Sequence, residues 1–174
     1  MLWIAFAVTL IFLIFLIVSY NRLVRDKHRV LSGWSDIDVQ LKRRHDLIPK
    51  LVAAVKQYAS FEQSTLEAVT ELRQQSNNLD DVNQRSALEK RLSESLFSIF
   101  AVAENYPDLK SNQGYLDLQQ EISEVEKDIQ FARRYYNGAV NNLNTRIDTF
   151  PDLIVAKLLN FKPADYFELE AQRL

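Results

Sequence analysis

With 174 residues, a formal net charge of −2 and Lys and Arg mixed among Asp and Glu, the chain has the size of one domain plus an apolar start. It lacks the basic face that a general nucleic-acid binder needs, so nucleic acid is not expected as a partner. Three Gly and four Pro permit few turns, which favours long helices, and the absence of Cys removes disulfides, thiolate metal sites and cysteine nucleophiles while leaving the compartment open.

Met1 to Tyr20 carries no charged side chain, and Leu2 to Val18 is almost wholly apolar. Twenty helical residues span roughly 30 Å, the hydrocarbon thickness of a bilayer. No basic residue precedes the apolar run and no small-x-small cleavage site comes after it, so an uncleaved transmembrane anchor over residues 1–20 is expected rather than a signal peptide. Arg22, Arg25, Lys27 and Arg29 lie just beyond the anchor. The positive-inside rule then puts the N-terminus outside and the remaining bundle, residues 21–174, in the cytoplasm. Trp3 and Tyr20 stand near the two ends, as interfacial aromatics do.

From Asn21 to about Ser60 nothing stops a helix. Trp34, Ile37, Leu41, Ile48, Leu51, Val55 and Tyr58 recur at alternating steps of three and four, the seam of one helix face, interrupted at Arg44. Gly33 weakens this helix by about 1 kcal/mol relative to Ala, and Pro49 should kink it. A second helical piece is expected from about Thr65 to Gln75, with Ser64 as N-cap and Glu67 in a capping box. Ser76 to Asp81 reads as a loop. The next helix is expected from Val82 to Asn105, with Leu88, Leu92, Leu96, Ile99, Ala103 and Tyr106 buried and Pro107 ending it. Asp108 to Gly114 reads as a turn in which Ser111 or Asn112 caps the final long helix.

That helix is expected from Gln113 to Thr149. Tyr115, Leu118, Ile122, Val125, Ile129, Ala132 and Tyr136 keep three-four spacing, which shifts by one irregular step to Val140 and resumes through Leu143, Ile147 and Phe150. Glu121, Glu124, Glu126, Lys127 and Asp128 read most simply as solvated flanks. Pro151 breaks the helix, and Asp152 to Leu159 forms a short one, apolar nearly all round, expected to bury against the bundle or to dock on a neighbour or the membrane surface. The sum is an all-α fold: a transmembrane helix continuing into an elongated up-and-down antiparallel bundle of three long helices and a short C-terminal one.

Chemistry is sparse. The two His, His28 and His45, have no Glu three residues before them, and no zinc, phosphate-loop or nucleophile-elbow motif is present. His45 with Asp38 or Asp46 is the remaining acid-base pairing, without a walled pocket to serve it. No catalytic residue, metal ligand or cofactor is expected. Lys42, Arg43 and Arg44, with His45 and Asp46, read either as a contact for an acidic partner or lipid headgroups, or as a solvated flank with Arg44 laying its stem over the core. A charge on the seam, as at Arg44, can also set register at a cost in stability. Asn137, Asn141, Asn144 and Asp148 form a polar stripe, either solvent-facing or able to hydrogen-bond across a helix interface.

Several segments together resemble the LemA family of bacterial single-anchor proteins. They are YNRLV from Tyr20, WSDIDVQLKRRHDLIPKLV from Trp34, TLEAVTELR from Thr65, YPDLKSN from Tyr106, ARRYYNGAVNNLN from Ala132, and Phe150–Pro151. Lys50, Gln57 and Phe61 depart from the family's usual Asn, Gly and His. The resemblance implies a helical bundle anchored in the bacterial inner membrane, with no known enzymatic activity or cofactor, and an association with self-assembly at membranes and with membrane proteases.

The expected function is therefore a non-catalytic scaffold that meets the lipid bilayer, forms a homo-oligomer and organises or remodels the membrane. The alternative is an adaptor for a membrane protein partner, such as a protease or signalling protein.

Overall fold

The computed structural model describes residues 1–56, 63–77, 79 and 81–167. The fold is all-α, with six helices and no strand among the described residues. In chain order they are α1 (Leu2–Lys56), α2 (Gln63–Asn77), α3 (Val82–Ala103), α4 (Pro107–Lys110), α5 (Gln113–Asp148) and α6 (Asp152–Leu158). Tyr58 of the first seam, with Gln57 and Phe61, lies outside the described residues.

Helix α1 runs unbroken through Pro49. Its first part is long and apolar enough to cross a membrane, and almost none of that apolar window is buried. Side chains begin to bury only at Ser19 and Leu23. A fully apolar helix that its own protein leaves bare has the length and composition of a membrane span.

The chain divides into two compact units, 1–35 with 134–166, and 36–133 with 167–174. In the first unit α5 runs antiparallel to α1, since Asp26 pairs with Arg146 while Gly33 faces Tyr136. Leu23, Val30, Tyr136, Val140, Leu143, Ile147, Val155 and Ala156 form its core. Gly33 has a positive role here that helix propensity alone conceals. A Cβ at this position would lie 3.1 Å from the Tyr136 Cα and 3.2 Å from a Tyr135 ring carbon. Absence of a side chain is what lets the two backbones approach. Beside it the Trp34 and Tyr136 rings tilt against each other at 5.7 Å.

In the second unit the helices alternate in direction. Val52 and Lys56 share a cleft with Leu66 and Thr70, while Arg73 reaches back to His45, so α2 descends beside α1. Asp38 pairs with Arg85 and Arg44 with Glu89, so α3 rises again, and Arg43 and Arg44 meet Asp128 and Glu126 on a descending α5. Ile37, Leu41, Ile48, Leu51 and Val55 pack with Val69, Leu92, Leu96, Ile99, Ile122, Val125 and Ile129, all nearly or fully buried. These twelve side chains contribute on the order of 20–30 kcal/mol of transfer free energy, which is what holds four amphipathic faces together.

Local signals explain the boundaries. The Asp81 carboxylate accepts from the Gln84 N–H at 2.8 Å and starts α3, and the Asn112 side chain accepts from the Tyr115 N–H at 3.1 Å and starts α5. Pro107 does not end α3, which already stops at Ala103; it occupies the first turn of α4, where its missing N–H is harmless. A short helix thus stands where a turn was expected. Ser64 lies inside α2 rather than capping it, and Ser76 belongs to its last turn, fully buried, rather than to a loop.

Candidate functional site: a buried ion network at Arg44

The interruption in the α1 seam is the centre of the second unit. Arg44 is 1 % exposed. Its phase on the helix points it inward between Leu41 and Ile48, so the guanidinium has no route to water. It is met there by two carboxylates. Nη2 pairs with Glu89 of α3 and lies 3.3 Å from the Glu89 carbonyl, and Nη1 pairs with Glu126 of α5 and with the Ser93 hydroxyl. Ser93 Oγ is in turn 3.0 Å from the second Glu126 oxygen. Nε has no hydrogen-bond partner among the described residues.

Glu89 has further partners. The Ser76 hydroxyl donates to it from α2, and His45 Nε2 lies 3.0 Å away, close enough to pair although not aligned as a hydrogen bond. His45 Nδ1 is 2.6 Å from the Asn77 side-chain oxygen, and the His45 carbonyl accepts from Arg73 Nε at 2.7 Å. Both ring nitrogens therefore face oxygen. Burial by itself pushes the Glu89 carboxyl up. The His45 contact, the charges of Arg44 and His45 and the Ser76 hydroxyl together overcome this and lower its pKa to about 2. Arg133 feels the same field: burial and Arg44 lower its pKa, while Glu126 and Glu89 oppose the shift. Four helices thus converge on a set of nearly balanced charges.

This placement divides the residues expected to form an interaction surface. Arg44 and His45 are inside the bundle and reach no outside partner, because the seam turns them inward. Lys42, Arg43 and Asp46 are exposed on the neighbouring faces, and Arg43 contacts Gln40 and Asp128 at 3.2 and 3.5 Å. Glu126 is not a solvated flank; it is buried as the partner of Arg44. The signal for both acidic partners was present. Glu89 sits three residues before Leu92, and Glu126 lies between Ile122 and Ile129, each on a buried stripe. Carboxylates on two seams opposite a guanidinium on a third are the trace of an internal ion pair.

The Asn stripe also works within the chain. Asn144 clamps the C-terminal segment: its Nδ2 donates to the Ala164 carbonyl and its Oδ1 accepts from the Ala164 N–H, both at 2.9 Å. Asn141 Oδ1 accepts from the Tyr166 hydroxyl at 3.3 Å, and Tyr136 donates to the Asp165 carbonyl at 2.8 Å. Asn137 is half-buried and Asp148 exposed. A second clasp lies near the start of the bundle. Buried Asp26 accepts from Arg29 at 3.1 Å and from Arg146 at 2.6 Å, and Arg146 also reaches Asp152 at 3.1 Å. The hydrogen bond to Asp26 is the main cause of the raised Arg146 pKa.

Among the described residues no group of three His, Asp or Glu side chains could hold a metal. Arg44, Glu89, Glu126 and His45 of this network are each engaged by another side chain. Its chemistry is that of an internal ion pair, in which one guanidinium and two carboxylates neutralise one another across three helices.

A helical bundle that follows an N-terminal helix long and apolar enough to cross a membrane, with an ion network buried inside it, defines the class of protein. The sequence profile of the LemA family matches residues 33–173. The chain is 30 % identical over 149 residues to Protein LemA of Metamycoplasma hominis, covering 85 % of this chain and 68 % of that protein. It is 24 % identical over 183 residues to Magnetosome protein MamQ 2 of Paramagnetospirillum magneticum and 21 % identical over 182 residues to Magnetosome protein MamQ of Magnetospirillum gryphiswaldense, in both cases covering 90 % of this chain and 67 % of the relative. The chain belongs to the LemA family.

Proposed function

We propose that this protein is a non-catalytic, membrane-anchored helical scaffold that assembles laterally with copies of itself and so organises or remodels the bilayer that holds it. The observation that carries the assembly is apolar surface left over outside the anchor. Leu31, Val39, Phe97, Phe131 and Tyr135 are each more than half exposed. Large apolar groups on several helices are what a further helical copy would cover. The anchor confines copies to two dimensions, which raises their effective concentration without any new contact. Relatives named as magnetosome proteins accord with a part in building a cellular structure. The exposed basic residues Arg22, Arg25 and Lys27 after the apolar helix favour an inner-membrane orientation with the bundle in the cytoplasm.

Light scattering of the detergent-purified protein over a range of concentrations tests the assembly. Particles of several copies are expected, and Phe131→Glu with Val39→Glu should reduce their mass; a strict monomer at every concentration refutes the scaffold. An adaptor role has one observation in its favour, the exposed pair Lys42 and Arg43. Charge reversal of both should abolish capture of a membrane protein partner while leaving particle size unchanged. For orientation, a cysteine at exposed Ser98 should react with an impermeant reagent only after cells are opened.

A further inference from the structure

The short helix, apolar nearly all round, buries only one face. Val155 and Ala156 of α6 face the core, but Leu158 is 74 % exposed and Ile154 and Leu159 about half exposed, and Phe150 just before the helix is 75 % exposed. Ile154 and Leu158 are four residues apart and stand one above the other on the outer face, with Lys157 beside them. Such a cluster on a helix of seven residues is a concentrated apolar patch.

Its position says what covers it. The Ser19 hydroxyl, at the end of the apolar run of α1, donates to the Asp152 carboxylate at the start of α6. Tyr20, the next residue, meets the Phe161 ring edge-on at 6.3 Å, just beyond the end of α6. Residues 152 and 161 therefore both touch α1 where its apolar run ends, so the segment that carries α6 is tied there on both sides, while Leu159 turns to a cleft shared with Lys27, Val30 and Leu31. That level is where the bare apolar helix meets its first polar residues, Ser19 to Arg22, and so where the hydrocarbon ends. A short helix tied to the edge of the hydrocarbon, apolar outward and carrying Lys157, with Arg22 and Arg25 on the adjoining stretch of α1, matches an interfacial helix in composition and charge.

We infer that α6 and Phe150 form a lipid-embedded foot: Phe150, Ile154 and Leu158 insert about 5–10 Å into the headgroup–acyl boundary of the leaflet from which α1 emerges. The foot rests on the reading of α1 as a membrane-spanning helix, and it deepens the scaffold proposal. A wedge carried by every copy occupies area in one leaflet only, so an array of copies expands that leaflet relative to the other. Asp152 is held by Ser19 and Arg146, which keeps the foot rigid with respect to the anchor.

The test uses the full chain, whose lack of Cys allows single-site labelling. Leu158→Cys, Ile11→Cys and Ser98→Cys, all at exposed positions, are each labelled with an environment-sensitive fluorophore. They are reconstituted in phosphatidylethanolamine–phosphatidylglycerol vesicles containing lipids spin-labelled either near the headgroup or near the bilayer centre. The label at 158 should emit to the blue and be quenched most by the shallow spin label, that at 11 most by the deep one, and that at 98 by neither. Quenching at 11 without quenching at 158 overturns the foot and leaves the anchor standing. Quenching at 158 without quenching at 11 overturns the spanning helix and, with it, the foot that rests on it. Quenching at neither overturns both, and blue emission at 158 that no lipid label quenches puts a second protein copy on α6 and overturns the foot.

Discussion

Replacing Arg44 with Ala is the sharpest perturbation of this fold. The substitution removes one guanidinium and leaves Glu89 and Glu126, both nearly fully buried, without their principal counter-charge. It also strips a donor from Ser93. Removing one partner of a buried pair costs about 3–5 kcal/mol, because the remaining charge must be desolvated without compensation. Each kcal/mol moves the melting point of a chain of this size by roughly 2–4 °C, so Arg44→Ala should melt roughly 10 °C below the parent. Helical circular dichroism of the purified full-length protein in detergent, recorded on heating, measures the shift. The same reasoning makes a second demand. If the penalty comes from unpaired charge, then Arg44→Met combined with Glu89→Leu and Glu126→Leu should recover most of the loss, since an apolar replacement of a whole buried cluster is often neutral or stabilising. A drop of only a degree or two in the single variant refutes the network as a stability element. A triple variant less stable than Arg44→Ala refutes unpaired charge as the cause.

The remaining predictions address other links. Glu89 has its pKa depressed from 4.5 to about 2 in the fold, so its contribution is complete above about pH 4.5 and is lost as pH falls from there toward 2; the difference in melting point between the parent and Glu89→Gln should shrink across that window and not above it. Gly33→Leu should cost about 1–3 kcal/mol by overpacking the α1–α5 contact even though Leu is the better helix former, and a melting point equal to the parent's would show that the close approach is dispensable. Asn144→Ala removes both bonds to Ala164 and should cost about 1–2 kcal/mol, seen locally as faster amide exchange at Ala164 with α1 unchanged. Lys42→Glu with Arg43→Glu should change stability by no more than about 0.5 kcal/mol, since both side chains are exposed, and a larger loss would mean that the pair is structural.

Much of the architecture was legible in residue order, and the reason is periodicity. The three-four spacing of Ile37, Leu41, Ile48, Leu51 and Val55, and of Tyr115, Ile122, Val125 and Ile129, is a property of each helix alone, so the buried faces could be read without knowing their neighbours. The Asn112 cap acts over three residues and is local in the same sense. Boundaries were less secure where two local signals competed: Pro107 can end one helix or begin another, and it does the latter.

What periodicity could not supply was the identity of the groups that meet. Arg44 stood out as a charge on an apolar seam, and by its own residues alone that oddity fits an outward partner or a snorkelling stem equally well. Only the convergence of α1, α2, α3 and α5 turned it into an internal pair with Glu89 and Glu126, distant in sequence by 45 and 82 residues. Gly33 looked like a defect until α5 lay across it. The apolar composition of residues 152–159 was evident from the order of residues, while the face left bare depended on Ser19 and Tyr20 binding both ends of α6. Sequence alone determined an apolar anchor, long amphipathic helices and their buried stripes, because each arises from interactions within a few residues. Tertiary structure decided which charges are buried, which glycine must stay small and where the bare apolar face points, because burial is a property of two surfaces and no single helix carries both.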